Sequence, residues 1–173
     1  MKIFYTFIFI FLILSKASFA NCDYERLGLG SGSEMIKSVY KVEINKDKNN
    51  FSLSSSSPKG VSGEIICNDN NFENLKFRFF FVEHKLHLIS VIDESSSQVN
   101  HLTNLSSFYG NPTSSRVLGN SDGIDDYHWD LKNKDIFLQV VRNNAAVRSN
   151  IKIMSKEYVT LIESHKDSKD VLH

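Results

Sequence analysis

The strand-like segments of this chain follow one another through connections that are too short for a parallel sheet. The best defined is Leu75–Val82, in which one face is wholly apolar at a period of two. A polar turn at residues 83–85 leads directly into a second apolar run at 86–92. Parallel strands need crossovers of about a dozen residues or more, so we expect these neighbours to pair antiparallel.

Helix-start signals precede each of the two groups of strands. A capping box at 31–34 predicts a helix of two to three turns, with the apolar face Met35, Ile36, Val39 and Tyr40. A second capping box at 95–98 precedes the apolar stripe Val99, Leu102, Leu105, Phe108 and Tyr109. Gly110 and Pro112 are expected to end this second helix.

The other strand-like runs complete two meanders, one behind each helix. They lie at 40–44, 51–53 and 61–67 in the first group and at 115–118, 127–131, 136–141 and 147–154 in the second. The predicted fold class is α+β, with antiparallel sheet in two helix-plus-meander units and the helices packed on one sheet face. A short helix is expected from residue 156 and a polar tail from about residue 165.

The first twenty residues have the pattern of a secretory signal peptide. Lys2 precedes an apolar run at 3–14, and Ser18 and Ala20 supply a small-x-small end. The run is too short to cross a hydrocarbon layer of about 30 Å, and no second apolar stretch follows. We expect a cleaved leader at 1–20, one globular domain at 21–173, and a periplasmic or secreted protein without a membrane span.

The mature chain is close to neutral. The leader holds two lysines and no acidic residue, which leaves 18 basic and 20 acidic side chains. Nucleic acids and anionic membranes call for a basic surface, so neither is expected as a partner. The whole sequence has thirteen phenylalanines, six tyrosines and one tryptophan, of which eight, five and one lie in the mature chain. These aromatic residues predict instead a firm hydrophobic core.

The only two cysteines of the sequence are Cys22 and Cys67. After export they are expected to form one intramolecular disulfide. A lipid-anchored Cys22 is an alternative, although residues 19–21 do not form a lipobox, and no cysteine and histidine cluster has zinc spacing. The sequons at Asn50 and Asn104 would matter only in a eukaryotic secretory pathway, and Asn104 falls within a predicted helix.

Several segments together resemble a known type of module. They are the glycine-rich approach to the first helix at 27–36, the run at 77–81 with Lys85 and Leu86, the helix end at 108–112, and Tyr127, His128 and Trp129. In element order the chain resembles the helix-then-meander modules of the SmpA/OmlA and β-lactamase-inhibitor-protein type. The resemblance implies a periplasmic or secreted binding module rather than an enzyme. It carries over no functional residue, and the lipobox of an SmpA-type lipoprotein is missing.

Two segments have the composition of ligand sites but are better explained as a helix entry and a turn. Gly28, Gly30 and Gly32 precede a helix N-terminus, where anions can bind, yet a P-loop lysine is missing. Asp122, Asp125 and Asp126 are close enough in sequence to suggest calcium, but the spacing is not that of an EF-hand. No metal and no cofactor is therefore expected.

Four histidines are candidates for acid–base chemistry. They are His84 in a hairpin turn, His87 in a strand, His101 on the polar side of the second helix, and His128 in a later strand. His128 and Asp130 share a strand face, but no serine or cysteine lies in a nucleophile motif. A small hydrolase or ligand-binding protein that uses His128, Asp130 and the segment 122–126 is the alternative function.

The strand face opposite the apolar one carries Lys76, Arg78, Phe80 and Val82. An aromatic face flanked by two cations suits protein binding if it is open to solvent, and it is core if the sheet is covered on both sides. The leading hypothesis is an exported, non-enzymatic module that binds another protein, of the inhibitor, immunity or envelope-assembly type. A structural envelope component is a third hypothesis.

Overall fold

The computed structural model describes residues 22–26, 28–46, 54–56, 60–94, 100–118, 123–143, 146–161 and 163. Several predicted features lie outside these residues. They are the leader at 1–20, the strand at 51–53, the capping box at 95–98, Asn50, Val99, Asp122 and the tail from about residue 165.

The described chain alternates helices with antiparallel strands. The helices are α1 (Ser33–Tyr40), α2 (Gly63–Cys67) and α3 (His101–Tyr109), with a 3-10 turn at Asn70–Phe72. The strands are β1 (Ile44–Lys46), β2 (Ser54–Ser56), β3 (Val61–Ser62), β4 (Leu75–Val82), β5 (Lys85–Asp93), β6 (Ser114–Arg116), β7 (Gly123–Asp130), β8 (Lys134–Asn143) and β9 (Ala146–Ser155). Every strand pair is antiparallel, which confirms the α+β class. Within the described ranges no helix is long and apolar enough to cross a membrane.

The strand β9 joins the two groups of hairpins into one sheet. The strand order is β1-β2-β4-β5-β9-β8-β7-β6, and β3 lies beside β4. Residues 149–154 of β9 pair with β5, and the whole of β9 pairs with β8. The two predicted meanders are therefore halves of a single sheet with β9 in its interior.

One face of this sheet holds the hydrophobic core. A row of side chains crosses five neighbouring strands in register: Phe79, Ile89, Ile153, Ile136 and Trp129. Each of them is at most 3% exposed. The helices add Ile36, Tyr40, Ile66 and Leu105 to the same cluster, so they pack on this face, as predicted. Full burial of one such side chain contributes about 1.5–3 kcal/mol, and this row is a major source of stability.

The turn between β4 and β5 is tighter than predicted. Val82 pairs with Lys85, so Glu83 and His84 form a two-residue loop, and both have positive φ angles, 50° and 64°. Positive φ at both positions is the geometry that matches the twist of a hairpin. A bulge follows, because Phe80 pairs with Leu88 while Phe81 pairs with Leu86, which leaves His87 as the extra residue.

The predicted strand at 61–67 is wrong beyond its first two residues. Only Val61 and Ser62 pair with β4, and the chain then enters α2. The Ser62 hydroxyl accepts a hydrogen bond from the Glu64 amide, which caps the helix. A side chain on Gly63 would lie 2.3 Å from the Phe72 carbonyl oxygen, so only glycine allows this close approach. Local capping therefore overrides the β-branched residues here.

The capping box predicted at 31–34 does not form. Helix α1 begins at Ser33, and its N-cap Gly32 makes no side-chain capping bond. Instead the approach to the helix pairs with β5, since the Ser31 carbonyl accepts from the Leu86 amide at 2.9 Å. Tyr40, predicted to start a strand, is the last residue of the helix. Of the predicted apolar face, Ile36 and Tyr40 are buried and Met35 and Val39 are half exposed.

Helix α3 is confirmed, with two differences. Asn100 caps it by accepting a hydrogen bond from the Thr103 amide at 3.0 Å, and Gly110 ends it with φ 77°. Leu105 is fully buried, whereas Phe108 of the predicted apolar stripe is 47% exposed. The prediction that His101 lies on the polar side is wrong, because its ring is 3% exposed and faces the sheet.

A buried polar network attaches the segment 22–26 to the core. The His101 ring binds the Tyr24 hydroxyl at 2.8 Å through Nδ1 and the Asp93 carboxylate at 2.9 Å through Nε2. Burial raises the pKa of Tyr24, so its hydroxyl stays protonated. The Glu25 carboxylate accepts hydrogen bonds from the Tyr109 hydroxyl, at 2.6 Å, and from Lys134. The segment is thereby tied to both α3 and β8.

The predicted disulfide is confirmed. Cys22 and Cys67 are bonded, with their Cα atoms 5.0 Å apart, and join the segment 22–26 to the end of α2. Asn104 lies next to this link, because its side-chain amide donates to the Cys22 carbonyl at 3.1 Å. Asn104 is only 7% exposed, so it is not accessible as a glycan acceptor in the folded protein.

Truncation in the interior of β9 should be far more damaging than truncation near its start. Ile153→Ala, in the buried row, is expected to lower the free energy of unfolding by about 2–5 kcal/mol. Val147→Ala is the matched control on the same strand, since Val147 is 41% exposed. It should lower the free energy of unfolding by about 0.5 kcal/mol or less. Urea unfolding followed by tryptophan fluorescence measures both, and equal losses would contradict the central position of β9.

The disulfide should stabilise the fold through loop closure. Cys22 and Cys67 are 45 residues apart, which corresponds to roughly 4 kcal/mol on the chain-entropy model. The same chain in dithiothreitol keeps both sulfur atoms and loses only the covalent link. Its urea midpoint should fall accordingly, and equal midpoints in the two redox states would show that the link contributes nothing.

Candidate functional site

The sheet face opposite the helices is the candidate site and is called the outer face. Its residues are Lys76, Arg78 and Phe80 on β4, Leu88, Ser90 and Ile92 on β5, Arg148, Asn150, Lys152 and Met154 on β9, Asp135, Phe137 and Gln139 on β8, Asp126, His128 and Asp130 on β7, and Ser114 and Arg116 on β6. They share one face because side chains alternate along each strand and the β5–β9–β8–β7 pairings have no bulge.

Three of the four residues predicted as a binding surface lie on the outer face in accessible positions. Lys76 is exposed, and Arg78 and Phe80 are partly exposed. Val82 is 1% exposed, so it is unavailable to a partner. It is the last residue of β4 and pairs with Lys85 beside the two-residue turn.

The acidic residues of the outer face are all engaged by basic or polar groups. His128 binds Asp135 at 2.8 Å, and its ring stacks on Phe137 with centroids 4.3 Å apart. Lys156 bridges Asp130 at 2.6 Å and Asp135 at 2.7 Å. The predicted pair of His128 with Asp130 is thus replaced by His128 with Asp135, a diagonal cross-strand neighbour that lies opposite Asp130.

Hydrogen bonds favour the ionised form of Asp135 and Asp126. Burial alone would raise the pKa of Asp135, but hydrogen bonds from Lys156 and His128 outweigh it and lower that pKa below its ordinary value. At Asp126, hydrogen bonds from Gln139, at 3.0 Å, and from Arg116 also lower the pKa. Asp130 and Asp135 in turn raise the pKa of Lys156. Each of these carboxylates therefore has a basic partner, and Lys156 is shared between Asp130 and Asp135.

Two of the aspartates that suggested a calcium site, Asp125 and Asp126, lie on opposite faces of β7. Asp125 is on the core side of β7, 1% exposed, where it pairs with Arg142 and accepts from the Leu118 amide at 3.1 Å. Asp126 points the other way, towards Arg116. Both lie in a strand rather than in a loop, so they cannot share a cation. Across the described ranges, no cluster of three or more histidine, cysteine or acidic residues could hold a metal ion.

The other histidines and the glycine segment do not converge on a site either. His84 is in the hairpin turn, and His87 in the bulge binds the Ser155 hydroxyl at 2.8 Å, while burial lowers the His87 pKa. The Gly30 amide donates to the Leu86 carbonyl at 2.7 Å and the Ser33 amide to the His84 carbonyl at 2.9 Å. These two amides are therefore already engaged in backbone pairing and are not free to bind a phosphate.

Positive charge on the outer face is concentrated on β4 and β9. Lys76, Arg78, Arg148 and Lys152, called the basic patch, have no ion pair with any residue that the structure describes. Arg78 and Lys152 are both cross-strand neighbours of Ser90, which brings the two strands' charges together. Sequence reasoning found only the half of the patch on β4. Alternation along β9 indicates that Arg148 and Lys152 share a face, but not which strand lies beside them.

A cavity of about 240 Å³ opens on the outer face beside the basic patch. It is lined by Asp126, Tyr127, Phe137, Leu138, Gln139, Asn150 and Lys152. The register places Asp126, Gln139 and Asn150 in one cross-strand row and Phe137 with Lys152 in the next. The cavity therefore lies between two rows of side chains, one rich in carboxylate and amide groups and the other formed by a ring and an ammonium group.

Comparison with known proteins gives no match. No family model, no curated protein and no solved structure matches the chain. The resemblance in element order to SmpA/OmlA and β-lactamase-inhibitor-protein modules therefore stays a prediction. The contacts and charges of the outer face carry the functional argument.

The ion network at Asp135 should make stability depend on pH. The pKa of Asp135 in the folded protein lies below its unfolded value of about 3.9, so the contribution is present above that value and is lost as the pH falls through the folded pKa. Asp135→Asn should therefore be less stable than the parent protein at pH 7, and the difference should shrink towards pH 2.

Thermal unfolding across this pH range measures the effect. Glu73→Gln, at an exposed carboxylate in the turn before β4, is the matched control and should show little pH-dependent difference. A gap between Asp135→Asn and the parent that stays constant from pH 7 to pH 2 would contradict the ionic origin of the effect.

Proposed function

We propose that this protein is an exported, non-enzymatic binding module whose outer face docks an acidic segment of another protein. The observation that carries the proposal is the basic patch, four cations on one sheet face without ionic partners in the described chain. The export part of the proposal is supported by the leader pattern at 1–20 and by the Cys22–Cys67 disulfide, since disulfides persist in oxidising compartments.

The distribution of charge selects an acidic partner. On the β7 and β8 side each carboxylate already has a base: Arg116 for Asp126, and Lys156 for Asp130 and Asp135. On the β4 and β9 side the four basic residues have no ion pair within the part of the chain that the structure describes. An approaching acidic segment is therefore attracted to one half of the outer face, and a basic segment is repelled from it.

Arg78 is suited to be the anchor of this interaction. It is partly buried between strands, and its Nε atom is closed to solvent and has no hydrogen-bond partner in the described ranges. A buried donor left unpaired costs about 1–3 kcal/mol. A carboxylate from a partner that binds the guanidinium in the bidentate way would satisfy this donor after a change in the Arg78 side chain.

Partly buried apolar residues surround the anchor. Phe80, Ile92 and Met154 are each partly exposed on the outer face, and Leu88 between them is 8% exposed. A partner would remove this apolar surface from water at about 25 cal/mol per Å². Lys76 and Arg78 are two residues apart on β4, about 6.6 Å, which matches alternate side chains of an extended segment. We therefore propose a segment in which acidic residues alternate with other residues.

Charge reversal tests the proposal on the disulfide-bonded protein 21–173. The probe is a synthetic peptide of alternating glutamate and threonine, with alternating lysine and threonine as the reference peptide. The acidic peptide should bind, and Lys76→Glu with Lys152→Glu should weaken its affinity at least about tenfold, which is about 1.4 kcal/mol. Lys132→Glu is the matched control, because Lys132 is exposed in the turn between β7 and β8. It should change the affinity for the acidic peptide only slightly.

The affinities are measured by titration calorimetry at low and at physiological salt. Binding should weaken as salt screens the charges. The proposal is overturned if the acidic peptide does not bind, if the lysine peptide binds equally well, or if the Lys132 variant loses as much affinity as the double variant.

A further inference from the structure

The cavity between β7, β8 and β9 has chemistry that the basic patch alone does not use. It shares Lys152 with the basic patch, so a segment docked on the patch passes its mouth. Its volume of about 240 Å³ is below the roughly 300–1,000 Å³ of small-molecule sites. The cavity is therefore sized for one side chain of a docked segment rather than for a whole small ligand.

One wall of the cavity is an aromatic ring held in a fixed position. Phe137 is 37% exposed, and its ring is parallel to that of His128 to within 3°. His128 is itself held by Asp135. The ring therefore offers a fixed flat surface, which favours a planar group over a branched aliphatic one.

The opposite wall has one hydrogen-bonding group that is satisfied and one that is not. The Gln139 amide donates to Asp126 at 3.0 Å. The Asn150 Oδ1 atom, next to Gln139 in the cross-strand row, is closed to solvent and has no hydrogen-bond partner among the described residues. An unsatisfied buried acceptor is unfavourable, and a docked group with an N–H donor would satisfy it once the Asn150 side chain turns towards the cavity.

Ionic side chains suit the cavity less well than a neutral donor. A cation meets the ammonium group of Lys152, and a carboxylate has no hydrogen to donate to the Asn150 acceptor. An aliphatic group leaves the Asn150 acceptor unsatisfied. A primary carboxamide is neutral and planar, donates through its NH₂ group, and accepts from the Lys152 ammonium through its oxygen. If the Asn150 side-chain amide is rotated by 180°, its NH₂ group can donate to the oxygen of the same carboxamide.

We propose that this cavity is a specificity pocket for a carboxamide side chain, glutamine or asparagine, carried by the acidic segment that docks on the basic patch. The inference rests on the proposed function and adds a sequence preference to it. Asn150 supplies the discriminating acceptor, Phe137 the stacking surface and Lys152 the donor to the carboxamide oxygen.

The test compares peptides that share one acidic frame and differ at one central position. That position is glutamine, leucine or glutamate, and the protein is the disulfide-bonded chain 21–173. The glutamine peptide should bind about tenfold more tightly than the leucine peptide, a difference within the range for one satisfied buried hydrogen bond. It should also bind more tightly than the glutamate peptide, although the latter carries one more negative charge.

The variant Asn150→Leu keeps a similar shape and removes the acceptor. In this variant the preference should disappear, so that the glutamine and leucine peptides bind with similar affinity. The side-chain amide signals of Asn150 in ¹⁵N–¹H spectra supply a readout on the unaltered protein and should shift only with the glutamine peptide.

The outcomes separate the two proposals. If all three peptides bind with affinities ordered by charge alone, the carboxamide pocket is overturned and the acidic docking surface stands. If Asn150→Leu keeps the glutamine preference, the pocket is also overturned. If no acidic peptide binds, the docking surface fails and the pocket fails with it.

Discussion

The pairing of β9 with both β5 and β8 is the interaction on which the rest of the structure depends. On the core side it places Ile153 between Ile89 and Ile136, which makes the apolar row continuous. On the outer side the same register sets Lys152 across Ser90 from Arg78 and brings Asn150 next to Gln139. The hydrophobic core, the basic patch and the cavity are thus three results of one strand pairing.

The two faces of the sheet divide stability and recognition between them. On the core face the segment 22–26 is fixed by the disulfide, by Tyr24 with His101 and Asp93, and by Glu25 with Lys134. These contacts satisfy buried polar groups internally. On the outer face each carboxylate of β7 and β8 has a basic partner, whereas the basic residues of β4 and β9 have no ion pair among the described residues. This asymmetry is the physical basis for proposing a binding role there.

Features fixed by local sequence could be predicted, and features fixed by pairing over long distances could not. Alternation in β4, the Cys22–Cys67 bond and the stop at Gly110 all follow from residue type and spacing. The helix at 63–67 was missed because a capping serine and a required glycine outweigh β propensity. Asp135 as the partner of His128, and Lys152 as a neighbour of Arg78, depend on strand register, which no local pattern specifies.

The interior place of β9 has a consequence for how the chain reaches its fold. β5 pairs with a strand that lies about 60 residues later in the chain, since residues 88–93 pair with 149–154. Contacts so distant in sequence make folding slow, because loop closure has to precede the gain from pairing. Until β9 arrives, β5 and β8 each present an unpaired edge to neighbouring chains. A chain that ends before residue 146 would therefore keep two groups of hairpins with unpaired strand edges. Such edges favour aggregation between chains until β9 pairs with them.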